Sequence, residues 1–495
     1  MPEAKLGVFQ GSYPTTPEYI GYHAIRQPGS VAVIDQGKSF SFEAFDRDIR
    51  KMIGVLQGFG LKPGQMTAIE FLPLKTTFTS FYCHWITLLA FEAYGVATVS
   101  FTNDEVSCLE DIADVLDLIM VFSDKKKFES NRVFVMDEKW FMQAMAEEPA
   151  PTLPQVAFGP DTPCRIIKSS GTTGKMKHMI RTFENQDSIF RNVQFTRGYN
   201  QQSRFFAFMG FNISAFHTAA VTCIRAGGFC VYDTDKKLAD TLTKHEITHV
   251  SLLPLSLMRM LDNLPEDYAK PPNLRILTIG APVSEAVRKR VLHSLASQLA
   301  ETYGTNEAST ISTMNAEGVG VIWPGVQVET VDDDDQPVIG VPGWVRIKSM
   351  SCVRGYINNP EATDKMFRDG WFYPGDLVIL KEPRLLKLIG RADDLLNIQG
   401  IKCAPQELEE KLSNELPIHD VCVTAIPDSE GANHLAVVLV PHNPDEIDEI
   451  SLRLEILVPG VYGTIRLIVA SEIPRTGSGK IQRTKVKEML RTVKL

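Results

Sequence analysis

The sequence has few cysteines and no paired cysteine motif. Its eight cysteines are spread over 495 residues, and no C-x-x-C pair occurs. Disulfide frameworks and zinc cages both need cysteines at close, repeated spacings, so we predict neither. Reduced, buried thiols in a cytoplasmic protein are the expected arrangement.

The chain also lacks a basic block and a long apolar run. Lys and Arg total 51 against 60 Asp and Glu, a net charge of −9, which disfavours nucleic acid as a partner. The most apolar stretch, residues 81–99, contains His84 and Glu92, so it predicts a buried helix and strand and no membrane span. The first residues show no secretory signal, so export is not predicted.

Short apolar runs alternate with helical patterns in the middle of the chain. Residues 228–233, 248–254 and 274–280 are predicted to be buried strands, because each is bounded by Gly, Pro or polar residues. Ser284 is predicted to cap a helix with an apolar face. That face would consist of Val287, Val291, Leu295 and Leu299. The alternation is typical of a mostly parallel sheet covered by helices.

A smaller unit is predicted near the C-terminus. Pro405 stands at the first turn of a helix with leucines at every fourth residue, and residues 421–426 and 435–440 alternate as strands. We therefore predict an α/β protein with a large N-terminal domain (1–390) of mostly parallel sheets covered by helices. A small mobile α+β C-terminal domain (391–495) would follow.

The sharpest local signal is a segment rich in hydroxyls, glycines and lysines. Residues 168–178 read KSSGTTGKMKH and follow two isoleucines. Backbone N–H groups, hydroxyls and ammonium groups can bind phosphate oxygens, and glycine allows close approach. The segment is no Walker A loop, because Ser169 stands where that motif needs glycine. It predicts a different phosphate-binding loop, with an ordinary surface loop as the alternative for this segment alone.

This segment resembles the phosphate loop of the adenylate-forming superfamily, which includes acyl- and aryl-CoA synthetases, nonribosomal adenylation domains and luciferases. The match runs from Ser169 to Gly174 and resumes at Lys177, while Met176 and His178 replace a proline and a glycine. Further motifs resemble the family in the right order. They are residues 303–307 (YGTNE), 355–376 (GYINNPEAT to FRDGWFYPGD), 390–400 (GRADD and a final glycine) and 474–483 (PRTGSGKIQR).

The resemblance implies an AMP-forming ligase that uses ATP, Mg²⁺ and a thiol, either coenzyme A or a carrier protein's phosphopantetheine. It implies catalytic roles for Lys480, Glu307, Thr172 and Lys177, with Glu307 as the Mg²⁺ ligand. Asp393 would be the hinge, and Gly400 would let a pantetheine arm pass. The residues implied in cofactor binding are Ser169, Ser170, Gly171, Thr173, Gly174, Tyr303, Gly304, Thr305, Asn306, Asp376, Arg391 and, in the small domain, Gly400.

These residue types suit the implied chemistry. Adenylation joins two anions, a carboxylate and the α-phosphate of ATP, so cations must lie where charge develops. Lys480, on a glycine-flanked loop, would reach both groups. Asp376 can accept two ribose hydroxyl protons at once, and Arg391 can add a donor to the same nucleotide.

The acyl pocket is expected around residues 205–217. Amino-acid-activating relatives carry an aspartate where Asn212 follows Phe211, and a neutral amide binds ammonium poorly. Asparagine at this place resembles the aryl acid adenylating enzymes of siderophore assembly, where it faces an ortho hydroxyl. His217 could be a pocket wall, a donor to the carboxylate or a core histidine. The full set of expected pocket residues is Phe211, Asn212, His217, Gly280, Ala281 and Pro282.

We therefore expect a carboxylate ligase, with an aromatic acid, such as an ortho-substituted benzoate, and coenzyme A as first choices. The alternative is a stand-alone adenylating enzyme that loads a carrier protein. A further alternative is a degenerate, non-catalytic nucleotide-binding member, which the departures at Met176, His178, Asn306 and Pro374 favour. We expect a monomer or homodimer.

Overall fold

The structure, a computed structural model, describes residues 13–70, 80–121, 132–170, 176–207, 209–233, 238–280, 283–315, 318–391, 394–398, 401–427, 433–458, 460–462, 465–475 and 481–492. Within these ranges, no helix combines the length and the apolar character needed to cross a membrane.

The helices cover the faces of the sheets. They are α1 (Thr16–Arg26), α2 (Phe42–Gln57), α3 (Ser80–Ala93), α4 (Glu138–Ala146), α5 (Phe183–Arg197), α6 (Ser214–Arg225), α7 (Leu238–Lys244), α8 (Pro254–Asp262), α9 (Glu285–Arg290), α10 (Pro360–Met366), α11 (Pro405–Glu415), α12 (Ile447–Leu457) and α13 (Arg483–Thr492).

The strands are β1 (Val31–Asp35), β2 (Lys38–Ser41), β3 (Met66–Glu70), β4 (Ala97–Phe101), β5 (Leu118–Val121), β6 (Val133–Val135), β7 (Pro163–Ser170), β8 (Met176–Thr182), β9 (Arg204–Phe206), β10 (Phe229–Tyr232), β11 (His249–Leu252), β12 (Arg275–Thr278), β13 (Gln298–Thr305), β14 (Ser309–Met314), β15 (Val319–Ile322), β16 (Gln327–Val331), β17 (Pro337–Val338), β18 (Pro342–Lys348), β19 (Phe367–Arg368), β20 (Trp371–Phe372), β21 (Asp376–Glu382), β22 (Leu385–Arg391), β23 (Leu396–Ile398), β24 (Ile401–Cys403), β25 (Ile418–Pro427), β26 (Asn433–Pro441) and β27 (Ile465–Val469).

Two sheets dominate the part of the chain that the structure describes. The larger contains sixteen strands, in the order β17-β16-β18-β21-β22-β15-β14-β13-β12-β11-β9-β10-β1-β2 with β19 and β20 at its side. Its segment from β13 to β1 is parallel, and the rest is antiparallel. The smaller is ordered β6-β5-β3-β4-β7-β8, with a parallel centre. The α/β fold class and the three buried strands β10, β11 and β12 are confirmed, with the parallel pairs of the larger sheet confined to its segment from β13 to β1.

The apolar stretch 81–99 is a helix followed by a strand, α3 and β4, as expected. Its helix is buried on every side, with Trp85 and Tyr82 among the largest fully buried side chains. A helix that is apolar all round is typical of the core of a large protein.

The helix predicted from Ser284 is shorter than expected. The Ser284 hydroxyl accepts a bond from the Val287 N–H at 3.3 Å, as predicted, but α9 ends at Arg290 and continues only as a π turn to Leu295. Leu299 lies in β13, so its placement on the helix was wrong. Leu299 packs beside the same apolar cluster, which explains why the spacing looked helical.

The last hundred residues form their own hydrophobic core. Residues of β23, α11, β25, β26 and α12 pack together separately from the rest of the chain. The predicted helix at Pro405 and both predicted strands are confirmed. Arg483, the first residue of α13, bonds Glu409 of α11 at 2.6 Å and lies 3.5 Å from Asp394.

Candidate active site

The predicted phosphate loop joins two strands of the smaller sheet. β7 and β8 form a hairpin in which Ser169 pairs with Lys177 and Ser170 with Met176. The hairpin therefore brings a hydroxyl and an ammonium group to the two sides of the loop. The predicted loop residues outside the described part are Gly171, Thr172, Thr173 and Gly174.

The second motif is the turn between β13 and β14 in the larger sheet. Residue 304 must be glycine, because a Cβ there would lie 2.4 Å from the Ser309 carbonyl oxygen. Thr305 accepts a bond from the Ala308 N–H at 3.0 Å, which holds the turn. The Asn306 amide donates to the Lys168 carbonyl at 2.8 Å, so this turn is joined directly to the phosphate hairpin.

Glu307 lies next to the phosphate hairpin and is buried. The Tyr356 hydroxyl donates to Glu307 Oε1 at 3.0 Å, and Lys177 Nζ lies 4.8 Å from the centre of the same tyrosine ring. Burial, and then the charge of Glu307, raise the pKa of Tyr356, which remains a hydrogen-bond donor at neutral pH. One tyrosine therefore positions a carboxylate and an ammonium group together.

Asp376 forms a second fixed carboxylate. It opens β21 and pairs in register with Arg391, the last residue of β22. The Tyr303 hydroxyl donates to Asp376 Oδ2 at 2.6 Å, and Arg391 Nη1 lies 3.3 Å from Oδ1. Burial raises the pKa of Tyr303, and the charge of Asp376 adds to the shift. The carboxylate therefore has a fixed position from which to accept further donors.

The donor set fits Mg²⁺ as a partner of ATP rather than as a metal held by protein alone. No group of three metal-binding side chains gathers anywhere in the described ranges. Mg²⁺ commonly takes one or two carboxylates and completes its shell with water and phosphate oxygens. Glu307, a buried carboxylate with a fixed orientation, suits that role.

Asn212 lies just before α6 and lines a cleft with Arg165 and Lys168 of β7. Its amide nitrogen is 3.4 Å from both carboxylate oxygens of Glu105. Glu105 also pairs with Lys168 Nζ at 2.8 Å. The donors of the amide thus face Glu105, and Oδ1 is left to accept a bond from a ligand.

The other predicted pocket residues of this segment are buried. Phe211 packs against Phe81 and Trp85, and His217 meets the Phe211 ring edge-on at 5.3 Å. Burial, and then the charge of Arg165, lower the pKa of His217 well below its usual value, so it is neutral. Of the five phenylalanines at 205–216, the four within the described residues are fully buried; these are Phe205, Phe206, Phe211 and Phe216.

Several predicted residues stay untested. Gly280 follows β12 with a φ of +95°, a conformation that favours glycine. The others lie outside the described residues; they are Ala281, Pro282, Asp393, Gly400 and Lys480.

Sequence reasoning missed three side chains that shape the site. The motif at residues 355–376 includes Tyr356 but gives no sign of its bond to Glu307. Glu105 gave no local signal, because its partners come from distant segments. Arg165 did give a signal, since a charge stands within the apolar run of β7. Its burial among neutral partners, described below, was not foreseen.

A family model described as AMP-binding enzyme matches residues 93–357, more than half of the chain. The chain belongs to this family. The match includes the phosphate hairpin and the turn that carries Glu307, and it confirms the predicted superfamily.

Individual relatives match between about two thirds and nearly the whole of this chain. The 2-succinylbenzoate–CoA ligase of Listeria monocytogenes serotype 4b (strain F2365) is 27% identical over 93% of this chain and 97% of its own length. The fatty acid–[acyl-carrier-protein] ligase MmaC of Mycobacterium marinum is 27% identical over 66% of this chain and 68% of its own. ATP-bound MatB of Rhodopseudomonas palustris superimposes with a TM-score of 0.83 at 18% identity, over 96% of this chain and 99% of MatB, and confirms the fold.

Proposed function

We propose that this AMP-binding enzyme is an AMP-forming acid–thiol ligase. One observation carries the proposal: two buried carboxylates, Glu307 and Asp376, are each held by a tyrosine hydroxyl, and the tyrosine of Glu307 also contacts Lys177 of the phosphate hairpin. That set suits a nucleotide triphosphate with its Mg²⁺. The adjoining segment of Asn212 supports an acyl site next to it.

The reaction has two steps. A carboxylate oxygen of the acid attacks the α-phosphorus of ATP, and the bond to pyrophosphate breaks. A thiol sulfur then attacks the acyl carbon, and AMP leaves with that oxygen. Lys177 would compensate the charge that develops on the phosphates, Asp376 would accept the ribose hydroxyls, and Lys480 would bridge the carboxylate and the α-phosphate.

Rotation of the C-terminal unit is part of the proposal. We place the boundary at residues 390 and 391, with Asp393 as the hinge that withdraws Lys480 between the steps. The separate core of this unit supports rigid-body motion. Arg483 supports it as well, since it ties the neighbouring Asp394 to α11 of the same unit.

An aromatic acid with an ortho substituent is the proposed substrate. Asn212 supports it, because Oδ1 is available to accept a proton from a neighbouring hydroxyl or amino group. The name of the Listeria relative, a ligase of an ortho-substituted benzoate, points the same way. Coenzyme A is the proposed thiol, in a cytoplasmic monomer or homodimer.

A second candidate is a ligase that loads a carrier protein, as the name of MmaC indicates for that relative. Incubation with free coenzyme A and with a phosphopantetheinylated carrier protein separates the two. Thioester on coenzyme A supports the first candidate, and thioester on the carrier alone supports the second.

Exchange of labelled pyrophosphate into ATP tests the proposal. We expect exchange that depends on an added acid and that Lys480→Ala abolishes, while its thermal unfolding stays that of the wild type. Absence of exchange with every acid of a broad panel would favour a non-catalytic nucleotide-binding protein.

A further inference from the structure

Arg165 is a buried cation whose partners are all neutral. Only 5% of the residue is exposed. Its guanidinium donates to the hydroxyls of Thr98 and Ser100 and to the Phe211 carbonyl, each at 2.8 Å. Two of its five N–H groups have no acceptor among the described residues, and no described carboxylate forms an ion pair with it.

The guanidinium lines a cleft between β4 and β7. The one paired position of these two strands is Thr98 with Arg165. The cleft is lined by Ser100, Arg165 and Lys168 and is bordered by Asn212 and Ser214 at the start of α6. The cleft thus continues from the segment that is expected to bind the acyl group.

The cleft carries an excess of positive charge. Lys168, its second cation, is already paired with Glu105 at 2.8 Å. Arg165 has no ion pair with a described carboxylate, and the charge of Glu92 acts on it only from a longer distance. The nearby His84 is neutral, because burial and the charge of Arg165 lower its pKa to about 3. Burial likewise lowers the pKa of Arg165 to about 10. A buried charge without a partner is costly, so an anion in this cleft would be stabilised.

The position of Arg165 along β7 sets how far the anionic group lies from the nucleotide motif. Lys168 lies three positions after Arg165, a distance of roughly 10 Å along a strand. The Lys168 carbonyl contacts Asn306 of the nucleotide motif. An acid that reacts at the nucleotide could therefore present a second charged group, several bonds away, to Arg165.

We infer that the cleft binds a second carboxylate of the acyl substrate, with Arg165 as its counter-ion, so that the enzyme activates one end of a dicarboxylic acid. This inference rests on the proposed function and names its substrate class. Arg165 would be a specificity-determining residue.

Matched pairs of acids test it on the wild-type protein. Each pair is a dicarboxylic acid and its monoamide, which has the same shape without the second charge; adipate and terephthalate, whose carboxylates lie far apart, give a flexible and an aromatic pair. We expect pyrophosphate exchange with a kcat/KM at least tenfold higher for the diacid in the better pair. Equal or better use of the monoamide in both pairs would overturn the inference. Exchange with monocarboxylic acids alone would overturn it too and leave the proposed function intact, whereas no exchange with any acid counts against both.

Arg165 variants then assign the effect to the residue. Arg165→Met should lower kcat/KM for the diacid at least tenfold and change that for the monoamide less than threefold, and Arg165→Lys should keep part of the preference. Arg197→Met is the matched control, because Arg197 is a half-buried arginine that bonds Ser251 outside the cleft. Equal losses for both acids in Arg165→Met would show a strand-bracing role and overturn the inference. If Arg165→Met does not fold, the wild-type pairs decide alone.

Discussion

The proposed nucleotide side of the site holds carboxylates beside cations, whereas the proposed acyl side is mostly cationic. On the nucleotide side, Glu307 and Asp376 are carboxylates, each fixed by a tyrosine hydroxyl. On the acyl side, Arg165 and Lys168 are cations, with Glu105 as the one carboxylate among the described residues that line or touch the cleft. Fixed anions suit a metal and ribose hydroxyls, whereas cations suit an acid. The difference predicts that substitutions on the two sides affect different substrates.

The largest effect is expected from Glu307→Gln. Loss of the charge would remove the Mg²⁺ ligand, and adenylation should fall by about 100- to 1,000-fold for every acid. Steady-state pyrophosphate exchange at saturating ATP measures this. Tyr356→Phe is the matched control, since it keeps the carboxylate and removes only its donor at 3.0 Å, and it should cost about tenfold or less. An equal loss in both variants would contradict a metal-binding role for the carboxylate.

Asp376→Asn should act on ATP more than on the acid. An amide has one acceptor oxygen fewer for ribose, and the KM for ATP should rise by about 10- to 100-fold, the usual range for hydrogen bonds to a charged group. The KM for the acid should stay within a few-fold. Tyr303→Phe, which keeps the carboxylate, should raise the KM for ATP less; a rise confined to the acid would break the proposed division of the site.

Asn212→Ala should act on the acid alone. Removal of the free Oδ1 acceptor should lower kcat/KM for 2-hydroxybenzoate or 2-aminobenzoate about three- to tenfold more than for benzoate, the range for a neutral hydrogen bond. Pyrophosphate exchange with the three acids measures this selectivity. Equal losses for all three would remove Asn212 from substrate recognition.

The smallest effect concerns the positive field of the acyl side. The pKa of His84 is lowered to about 3 and that of His178 to about 4, against about 6.5 in the unfolded chain. The unfolded chain therefore binds more protons below pH 6.5, so stability is full above that pH and falls as the pH drops. His84→Gln should reduce this slope by up to ~1.4 kcal/mol per pH unit between pH 6.5 and 4.5, as read from denaturant unfolding. An unchanged slope would show that His84 titrates normally.

The nucleotide side was more accessible to prediction than the acyl side. Tyr303, Asn306 and Glu307 stand in one short segment, because a tight turn holds them together whatever the surrounding fold. A local pattern of this kind can be recognised in one sequence. The parallel sheet was predictable for a similar reason, since β10, β11 and β12 are short apolar runs bounded by turn residues.

The acyl side depends on contacts between distant segments. Glu105 contacts Lys168 and Asn212, which lie 63 and 107 positions further along the chain. Arg165 donates hydrogen bonds to Thr98 and Phe211, which belong to two other segments. No periodicity in the sequence indicates such contacts between distant segments. The misplaced Leu299 has a related cause, because its burial beside the cluster of α8 and β12 is a tertiary effect that imitates helical spacing.

Transfer of an isotope from the acid tests the central claim most directly. An acid whose carboxylate carries oxygen-18 is incubated with ATP, Mg²⁺, the thiol and the protein, and the nucleotide and phosphate products are analysed by mass spectrometry. The account predicts one labelled oxygen in AMP, since the carboxylate oxygen attacks the α-phosphorus and leaves with AMP. Label in inorganic phosphate, with ADP as the nucleotide product, or no labelled AMP with any acid of the panel, would contradict it.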